Sequence, residues 1–225
     1  MDEVRIIEIK ENIFKSNEEE ADKLRKELKA KKTLLINLMS SPGSGKTTTL
    51  MATLAKLKDK YKIAVMEADI DSAIDAKTIS TLKNVEAIQL HTGGMCHLTA
   101  DMTRQGIESL QTKDLDLIII ENVGNLVCPA EFDTGAHINI NILSVPEGDD
   151  KPLKYPLMYQ VCSLFIINKM DVAPYFDFSL EKAQENIKMR NKDAVIIPIS
   201  AKKGEGIDEL ANWLEKEIIK IKGEN

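Results

Sequence analysis

Residues 40–47 read Ser-Ser-Pro-Gly-Ser-Gly-Lys-Thr, between an apolar run over 33–39 and a helix-like stretch over 47–58. A glycine-rich loop between a strand and a helix is the context in which this pattern binds phosphate. Gly43 and Gly45 let the backbone turn successive N–H groups toward an anion, at the positive end of the following helix. Ser40 stands where the generic pattern has glycine. The stretch predicts a phosphate-binding loop and a P-loop α/β fold.

The same loop supplies candidate contacts for a nucleoside triphosphate. Lys46 would reach the β- and γ-phosphates, and the Thr47 hydroxyl would bind Mg²⁺. The alternative interpretation is a glycine-rich turn without a ligand, which the flanking strand and helix disfavour. The predicted nucleotide contacts in this part of the chain are Pro42, Gly43, Ser44, Gly45, Lys46, Thr47 and Thr48.

Two further motifs indicate which base is bound. Asn-Lys-Met-Asp at 168–171 follows an apolar run, and Ser-Ala-Lys at 200–202 follows the apolar run 194–199. In guanine-nucleotide-binding proteins the Asp carboxylate accepts hydrogen bonds from two guanine N–H donors that adenine lacks. Either motif alone could be a solvated turn, but together, each after a strand, they predict GTP. The predicted base contacts are Asn168, Lys169, Asp171, Ser200, Ala201 and Lys202.

Apolar runs alternate with helical patterns along the chain. The runs are rich in Ile, Val and Leu with little alternation, as in strands covered on both faces. We therefore predict a doubly wound, mainly parallel sheet, with one domain over 1–225 and residues 1–31 as a helical extension packed on it. The predicted strands are 33–39, 63–67, 87–90, 115–121, 138–144, 161–168 and 194–199, and the predicted helices are 17–31, 47–60, 74–82, 96–111, 180–191 and 207–222.

Composition excludes several classes of function. The 225 residues carry a net charge of −6, whereas nucleic-acid-binding domains usually present a basic face. Three cysteines cannot all pair, and no signal peptide or long uncharged apolar run is present. We expect a cytoplasmic protein with neither a nucleic-acid nor a membrane partner.

Acidic residues at two predicted strand ends are candidate magnesium ligands. Asp69 ends one strand and is followed by Asp71 and Asp75, while Glu121 begins a Glu-Asn-Val-Gly pattern that ends at Gly124. Hard cations take oxygen ligands, and a glycine amide at this position contacts the γ-phosphate in related loops. Carboxylates that only mark solvated strand ends are the alternative. The predicted Mg²⁺ ligands are Thr47, Asp69, Asp75 and Glu121, and the predicted catalytic residues are Lys46, Thr47, Glu121 and Gly124.

A second metal site is suggested by Cys96, His97 and Cys128, which include two of the three cysteines. Thiolate and imidazole suit Zn²⁺ or Ni²⁺ better than Mg²⁺. Plain buried cysteines are an equally open interpretation at this stage. Three ligands leave a coordination position free, and two chains around a twofold axis could share their ligands.

These motifs together resemble the HypB family of hydrogenase nickel-incorporation GTPases. The resemblance runs through residues 11–13, the phosphate-binding loop and Thr-Gly-Gly-Met-Cys-His-Leu at 92–98. Its most specific part is Asn-Val-Gly-Asn-Leu-Val-Cys-Pro at 122–129. It implies a GTPase with slow turnover, Cys96, His97 and Cys128 as ligands of nickel or zinc, and a homodimer linked to GTP and metal. It also implies nickel delivery to a [NiFe]-hydrogenase large-subunit precursor, together with other maturation factors.

Other functions stay open on sequence alone. A urease-type nickel-delivery GTPase differs at the metal motif, which is Cys-Pro-His in that family and Cys-His here. A regulatory GTPase in protein assembly would use Cys96, His97 and Cys128 only structurally. An ATP-driven kinase or scaffolding ATPase fits the phosphate-binding loop but not the motif at 168–171.

Overall fold

The computed structural model describes residues 5–8, 17–69 and 74–223, and of residues 5–8 and 74 it describes the backbone only. The sequence-predicted segment 11–13 and the candidate Asp71 lie outside the described residues. None of the helices in the described ranges has the length and apolar composition of a bilayer-spanning segment.

Within the described residues, eight parallel strands form a single sheet in the order β1-β4-β3-β5-β2-β6-β7-β8. The doubly wound parallel sheet predicted from sequence is confirmed, and each of the seven predicted strands is present. The short edge strand β1 was not predicted. The strands are β1 Arg5–Glu8, β2 Leu34–Ser40, β3 Ile63–Asp69, β4 Val85–His91, β5 Leu117–Glu121, β6 Ile138–Ser144, β7 Leu164–Asn168 and β8 Val195–Pro198.

Helices cover both faces of the sheet. On one face α2 packs against α3 and α9, and on the other α1 packs against α4 and α5 packs against α7. The helices are α1 Asn17–Ala30, α2 Lys46–Leu57, α3 Ile74–Ile79, α4 Ala100–Glu108, α5 Cys128–Glu131, α6 Lys151–Lys154, α7 Pro156–Val161, α8 Leu180–Arg190 and α9 Ile207–Lys222, with 3-10 turns at Val145–Glu147 and Met170–Tyr175.

Helix α4 begins later than the sequence pattern predicts. The prediction places its start at Cys96, whereas the helix starts at Ala100. Thr99 has an extended backbone, and its side chain accepts a hydrogen bond from the Met102 N–H, which caps the first turn. Cys96 and His97 therefore lie in the loop between β4 and α4 rather than in a helix.

The N-terminal helix α1 docks through an apolar stripe. Ala21, Leu24 and Leu28 are almost fully buried, at the i, i+3, i+7 spacing of one helix face. Gly135 lies against this stripe with a positive φ of 79°, and a Cβ there would lie 2.9 Å from a Leu24 methyl carbon. The close approach of backbone and helix explains why glycine is needed at this position.

His137 ties α1 to the sheet. Its Nδ1 accepts a hydrogen bond from the Leu35 N–H at 3.0 Å, so a neutral ring carries its proton on Nε2, which donates to the Arg25 carbonyl at 3.1 Å. Burial lowers the pKa of His137, against opposing hydrogen bonds to the backbone. The neutral ring satisfies both partners, whereas a protonated ring would face the Leu35 N–H with another donor.

This arrangement predicts a stability that depends on pH. Because the folded-state pKa of His137 is depressed, the unfolded chain binds the proton more readily, and stability is lost as pH falls below about 6.5. His137→Gln offers an acceptor and a donor that do not titrate. Urea unfolding between pH 7.5 and 5.5 should show a shallower loss of stability for His137→Gln than for the wild type. Parallel curves for the two proteins would contradict this role of His137.

Candidate functional site

The phosphate-binding loop lies at the carboxyl end of β2, between β5 and β6, where ligands collect in sheets of this kind. Gly43 and Gly45 have φ of 73° and 95°, the positive range that favours glycine, which is why both positions of the loop carry this residue. A Cβ on Gly45 would lie 2.5 Å from the Asn168 side-chain nitrogen. That nitrogen donates to the Ser44 carbonyl at 2.9 Å, which joins the loop to the start of the 168–171 motif.

Ser40 has a definite place in this loop. Its hydroxyl is fully buried and accepts hydrogen bonds from the Ser44 hydroxyl at 2.6 Å and from the Lys46 ammonium at 3.3 Å. It donates in turn to the Ser41 carbonyl. The serine at the position of the generic glycine therefore braces the loop internally and holds Lys46 beside it.

Three carboxylates converge next to Thr47. Single oxygens of Glu67, Asp75 and Glu121 lie within 4.8 Å of one another, and the Thr47 hydroxyl donates to Glu121 Oε1 at 3.1 Å. Glu67 and Glu121 face each other across β3 and β5. Asp69, the residue named from sequence, lies two positions further along β3 and is not part of this group. Glu67 belongs to the group because it lies opposite Glu121 in the register of β3 and β5, which the sequence does not reveal.

The acidic group is costly to bury without a cation. Burial raises the pKa of Glu67 well above its usual value, and the charge of Glu121 adds to this. Burial also raises the pKa of Glu121, against a hydrogen bond with Glu67 and the charge of Lys46. Glu67 Oε1 and Glu121 Oε2 are buried without a hydrogen-bond partner in the described part of the chain. Unpartnered carboxylate oxygens beside a threonine hydroxyl fit a hard divalent cation.

A cleft of about 300 Å³ adjoins the phosphate-binding loop on the other side. The Ser200 hydroxyl donates to Asp171 Oδ1 at 2.7 Å, and this hydrogen bond lowers the pKa of Asp171. The Ala201 N–H donates to Asn168 Oδ1 at 3.1 Å, and the Lys169 ammonium donates to the Gly43 carbonyl at 2.6 Å. The motifs at 168–171 and 200–202 are therefore joined by hydrogen bonds into one wall of the cleft, which includes the ionised Asp171 carboxylate. The lining residues are Gly45, Thr48, Asn168, Lys169, Asp171, Val172, Ala201 and Lys202.

Gly124 packs directly on the phosphate-binding loop. A Cβ on Gly124 would lie 3.1 Å from the Cα of Pro42, so a larger side chain would push the two segments apart. Asn125 follows, and its amide oxygen accepts from the Val127 N–H at 2.7 Å. Its amide nitrogen donates to Cys128 Sγ at 3.6 Å. Five residues thus connect the phosphate-binding loop to a thiol.

The thiol and imidazole candidates come together although they lie on separate segments. Cys96 Sγ lies 3.9 Å from His97 Nδ1, and a hydrogen bond between the Cys96 and Cys128 thiols raises the pKa of Cys128. The His97 ring stacks on Phe132 with centroids 3.6 Å apart. All three donors are half-buried. Cys96 contacts both His97 and Cys128, although the three donor atoms do not all lie within 4.8 Å of one another. Two soft thiols and an imidazole are the donor types that a transition metal prefers.

Several residues at these sites escaped sequence reasoning. Glu67 could have been predicted as a magnesium ligand, because it is a carboxylate close to the end of β3. Asn125 belongs to the segment 122–129 that carries the family resemblance, but its contacts, like those of Phe132, depend on the fold and could not be predicted. Cys162, by contrast, is 1% exposed, and its thiol donates to the Met158 sulfur in the apolar core.

Comparison with known proteins identifies the family of the chain. Residues 34–198 match the family model described as the CobW/HypB/UreG nucleotide-binding domain. The hydrogenase maturation factor HypB of Escherichia coli K12 is 45% identical over 215 residues, 96% of this chain and 74% of that protein. The hydrogenase/urease maturation factor HypB of Helicobacter hepaticus is 41% identical over 214 residues, 93% of this chain and 87% of that protein.

A solved structure extends the likeness to three dimensions. The crystal structure of HypB from Helicobacter pylori in complex with nickel superposes with a TM-score of 0.84 at 38% identity. The match covers 91% of this chain and 95% of that one. The parallel sheet and its helical layers are therefore shared with that protein.

The buried carboxylates predict that replacing one of them with a neutral side chain stabilises the protein. Because the folded-state pKa of Glu67 is raised, its contribution to stability is complete below about pH 4.5 and is lost as the pH rises. Glu67→Gln has no carboxyl group that must be buried as an anion or take up a proton, and its amide can donate to Glu121. Without added divalent cation at pH 7.5, this variant should be more stable than the wild type by about 1–2 kcal/mol. Thermal unfolding measures this, with Glu205→Gln as the exposed control; equal or lower stability of Glu67→Gln would contradict it.

Proposed function

The chain belongs to the HypB family of hydrogenase maturation factors within the CobW/HypB/UreG nucleotide-binding proteins, and we propose that it is a GTP-hydrolysing nickel metallochaperone. In this proposal it assists nickel insertion into a [NiFe]-hydrogenase precursor, with dimerisation and metal binding that depend on GTP. The observation that carries the proposal is the short connection from Gly124, packed on the phosphate-binding loop, to Cys128, beside Cys96.

The base cleft supports GTP as the nucleotide. The Asp171 carboxylate is held ionised by the Ser200 hydroxyl and opens onto the cleft, where it would accept from guanine N1–H and the exocyclic amine. The Ala201 N–H and Asn168 hold the cleft wall in shape, while Lys169 and Lys202 line it. The phosphates would lie on the N–H groups of residues 42–48, next to Lys46.

The carboxylate group supports Mg²⁺ as the cation that accompanies GTP. Thr47, Glu67, Asp75 and Glu121 would hold it, directly or through water, whereas Asp69 lies two positions beyond Glu67 on β3 and outside this group. Mg²⁺ would neutralise charge on the β- and γ-phosphates. Lys46 does the same from the loop, and the Gly124 N–H would hydrogen-bond the γ-phosphate.

Slow hydrolysis follows from the residue next to Gly124. In fast GTPases a glutamine in this region orients the attacking water. Here Asn125 uses both amide atoms within its own segment, on the Val127 N–H and the Cys128 thiol. It is therefore committed to holding the metal segment, and hydrolysis would act as a slow timer that resets the metal site.

The cargo would be Ni²⁺, with Zn²⁺ as a competing occupant, at Cys96, His97 and Cys128. Three donors leave one position of a four-coordinate site open, which a second subunit or a receiving protein could fill. This supports a homodimer linked to GTP and metal as the loaded form. Its partners would be other hydrogenase maturation factors and the hydrogenase large-subunit precursor, in the cytoplasm.

Delivery to a urease is the second candidate function. The relative from Helicobacter hepaticus is named as a factor for both hydrogenase and urease, so one protein of this family carries both names. A regulatory GTPase without a metal role is less well supported, because the two thiols and the imidazole converge from separate segments.

Nucleotide specificity tests the first half of the proposal. The wild type should bind GDP and GTP at least about a hundredfold more tightly than ADP and ATP, since two charge-assisted hydrogen bonds are lost with adenine. Asp171→Asn should weaken GDP binding by a similar factor and favour xanthosine diphosphate, whose O2 accepts from the new amide. Competition against a fluorescent GDP measures both, with exposed Asp177→Asn as the control. Equal competition by ATP and GTP would reject the GTP assignment.

Nickel affinity tests the second half. Cys128→Ser should weaken Ni²⁺ binding more than about tenfold, whereas Cys162→Ala should leave it unchanged, because Cys162 lies in the core. Binding must displace thiol protons, and the pKa of Cys128 is raised, so the affinity should increase steadily from pH 6 to pH 9. Chelator competition at several pH values measures this. A nickel affinity that changes neither with pH nor in Cys128→Ser would contradict the assignment of Cys128 as a nickel ligand.

A further inference from the structure

The three proposed metal donors reach their site from two segments that are far apart in the chain. Cys96 and His97 belong to the loop before α4, and Cys128 begins α5. No backbone hydrogen bond of the sheet fixes the distance between these two segments, since both lie beyond the strands. The ring stack of His97 on Phe132 and the contact of the Cys96 and Cys128 thiols join the segments directly, and contacts outside the donor residues can fix their spacing further.

Asn17, the first residue of α1, contacts both segments at once. Its amide oxygen accepts a hydrogen bond from the Ala100 N–H at 2.9 Å, and its amide nitrogen donates to the Asp133 carbonyl at 2.9 Å. Ala100 is the first residue of α4 and lies three positions after His97. Asp133 is bonded to Phe132, the residue whose ring stacks on His97. One side chain thus spans the gap between the two donor segments.

The remainder of α1 makes Asn17 a fixed point. Arg25 donates to both carboxylate oxygens of Asp133, at 2.8 and 2.7 Å, and to the Ala136 carbonyl at 3.0 Å. Arg104 on α4 pairs with Glu20 and Glu27 on α1. Helix α1 is therefore attached to α4 on one side and to the segment 133–136 on the other.

We propose that Asn17 is a positioning residue for the metal site, and that α1 acts as a clamp that sets the spacing between the Cys96–His97 loop and Cys128. The inference rests on the proposed function, because the site is taken to bind nickel. A metal ion binds more tightly to donors that are already in place, because less conformational entropy is lost on binding. Loosening the clamp should then weaken metal binding while Cys96, His97 and Cys128 are all intact.

Asn17→Ala removes both hydrogen bonds and adds no bulk. We expect Ni²⁺ affinity to fall about tenfold, the size of effect typical for residues that orient metal ligands. The nickel–thiolate absorption band should shift, because the donor geometry changes. GDP affinity should be unchanged. Asn17→Asp keeps the acceptor for the Ala100 N–H and should recover part of the nickel affinity.

The matched control is Glu27→Gln on the same helix. It weakens the pair with Arg104 and the docking of α1, but it touches neither donor segment. Nickel affinity should fall clearly less than in Asn17→Ala, because both hydrogen bonds of Asn17 remain, even if the thermal midpoint falls as far. An Asn17→Ala protein with wild-type affinity and band would overturn the proposal, as would an equal loss in Glu27→Gln.

Amide hydrogen exchange of the metal-free protein separates this inference from the proposed function. In Asn17→Ala the amides of 96–100 and 128–135 should exchange faster than in the wild type, with little change in 40–47. A wild type that binds no nickel would reject the proposed function, and the exchange result would still decide the clamp. Unchanged exchange in both segments would overturn the clamp whatever the metal result.

Discussion

The contact of Gly124 with Pro42 is the constraint on which the rest of the site depends. A side chain at Gly124 would crowd Pro42, so glycine lets the segment after β5 lie directly against the phosphate-binding loop. The chain from Gly124 to Cys128 has four peptide units and spans at most about 14 Å. Asn125 stiffens it further by bonding to the Val127 N–H and to the Cys128 thiol. Only a short segment, held by these two hydrogen bonds, therefore separates the phosphate-binding loop from the proposed metal ligand Cys128.

A bound cation would favour the ionised form of buried groups both in the carboxylate group beside Thr47 and at the thiols. Glu67 and Glu121 are buried carboxyls with raised pKa values and unpartnered oxygens, and the Cys128 thiol retains its proton beside Cys96. Binding that occurs only in the folded state stabilises it by mass action. Stability, cation binding and metal binding should accordingly be coupled in this protein.

The sequence predicted what local patterns determine. The phosphate-binding loop, the motif at 168–171 and seven strands follow from short-range signals such as glycine spacing and buried apolar runs. Features set by distant contacts were missed. Glu67 rather than Asp69 joins the acidic group because of its register with Glu121, α4 starts late because Thr99 caps it, and Asn17 has significance only through Ala100 and Asp133. The edge strand β1 has only two apolar residues, Ile6 and Ile7, between charged ones, which is too short an apolar run to predict a strand.

The central claim is that nucleotide state controls metal binding. The most direct test measures the Ni²⁺ dissociation constant and the molecular mass of one preparation, first with GDP and Mg²⁺, then with a non-hydrolysable GTP analogue and Mg²⁺. The account predicts affinities that differ by more than about tenfold, in the range of typical allosteric couplings. It also predicts a mass near twice the chain's 25.1 kDa in the GTP-analogue form loaded with nickel. Equal affinities and a monomer in both states would contradict it.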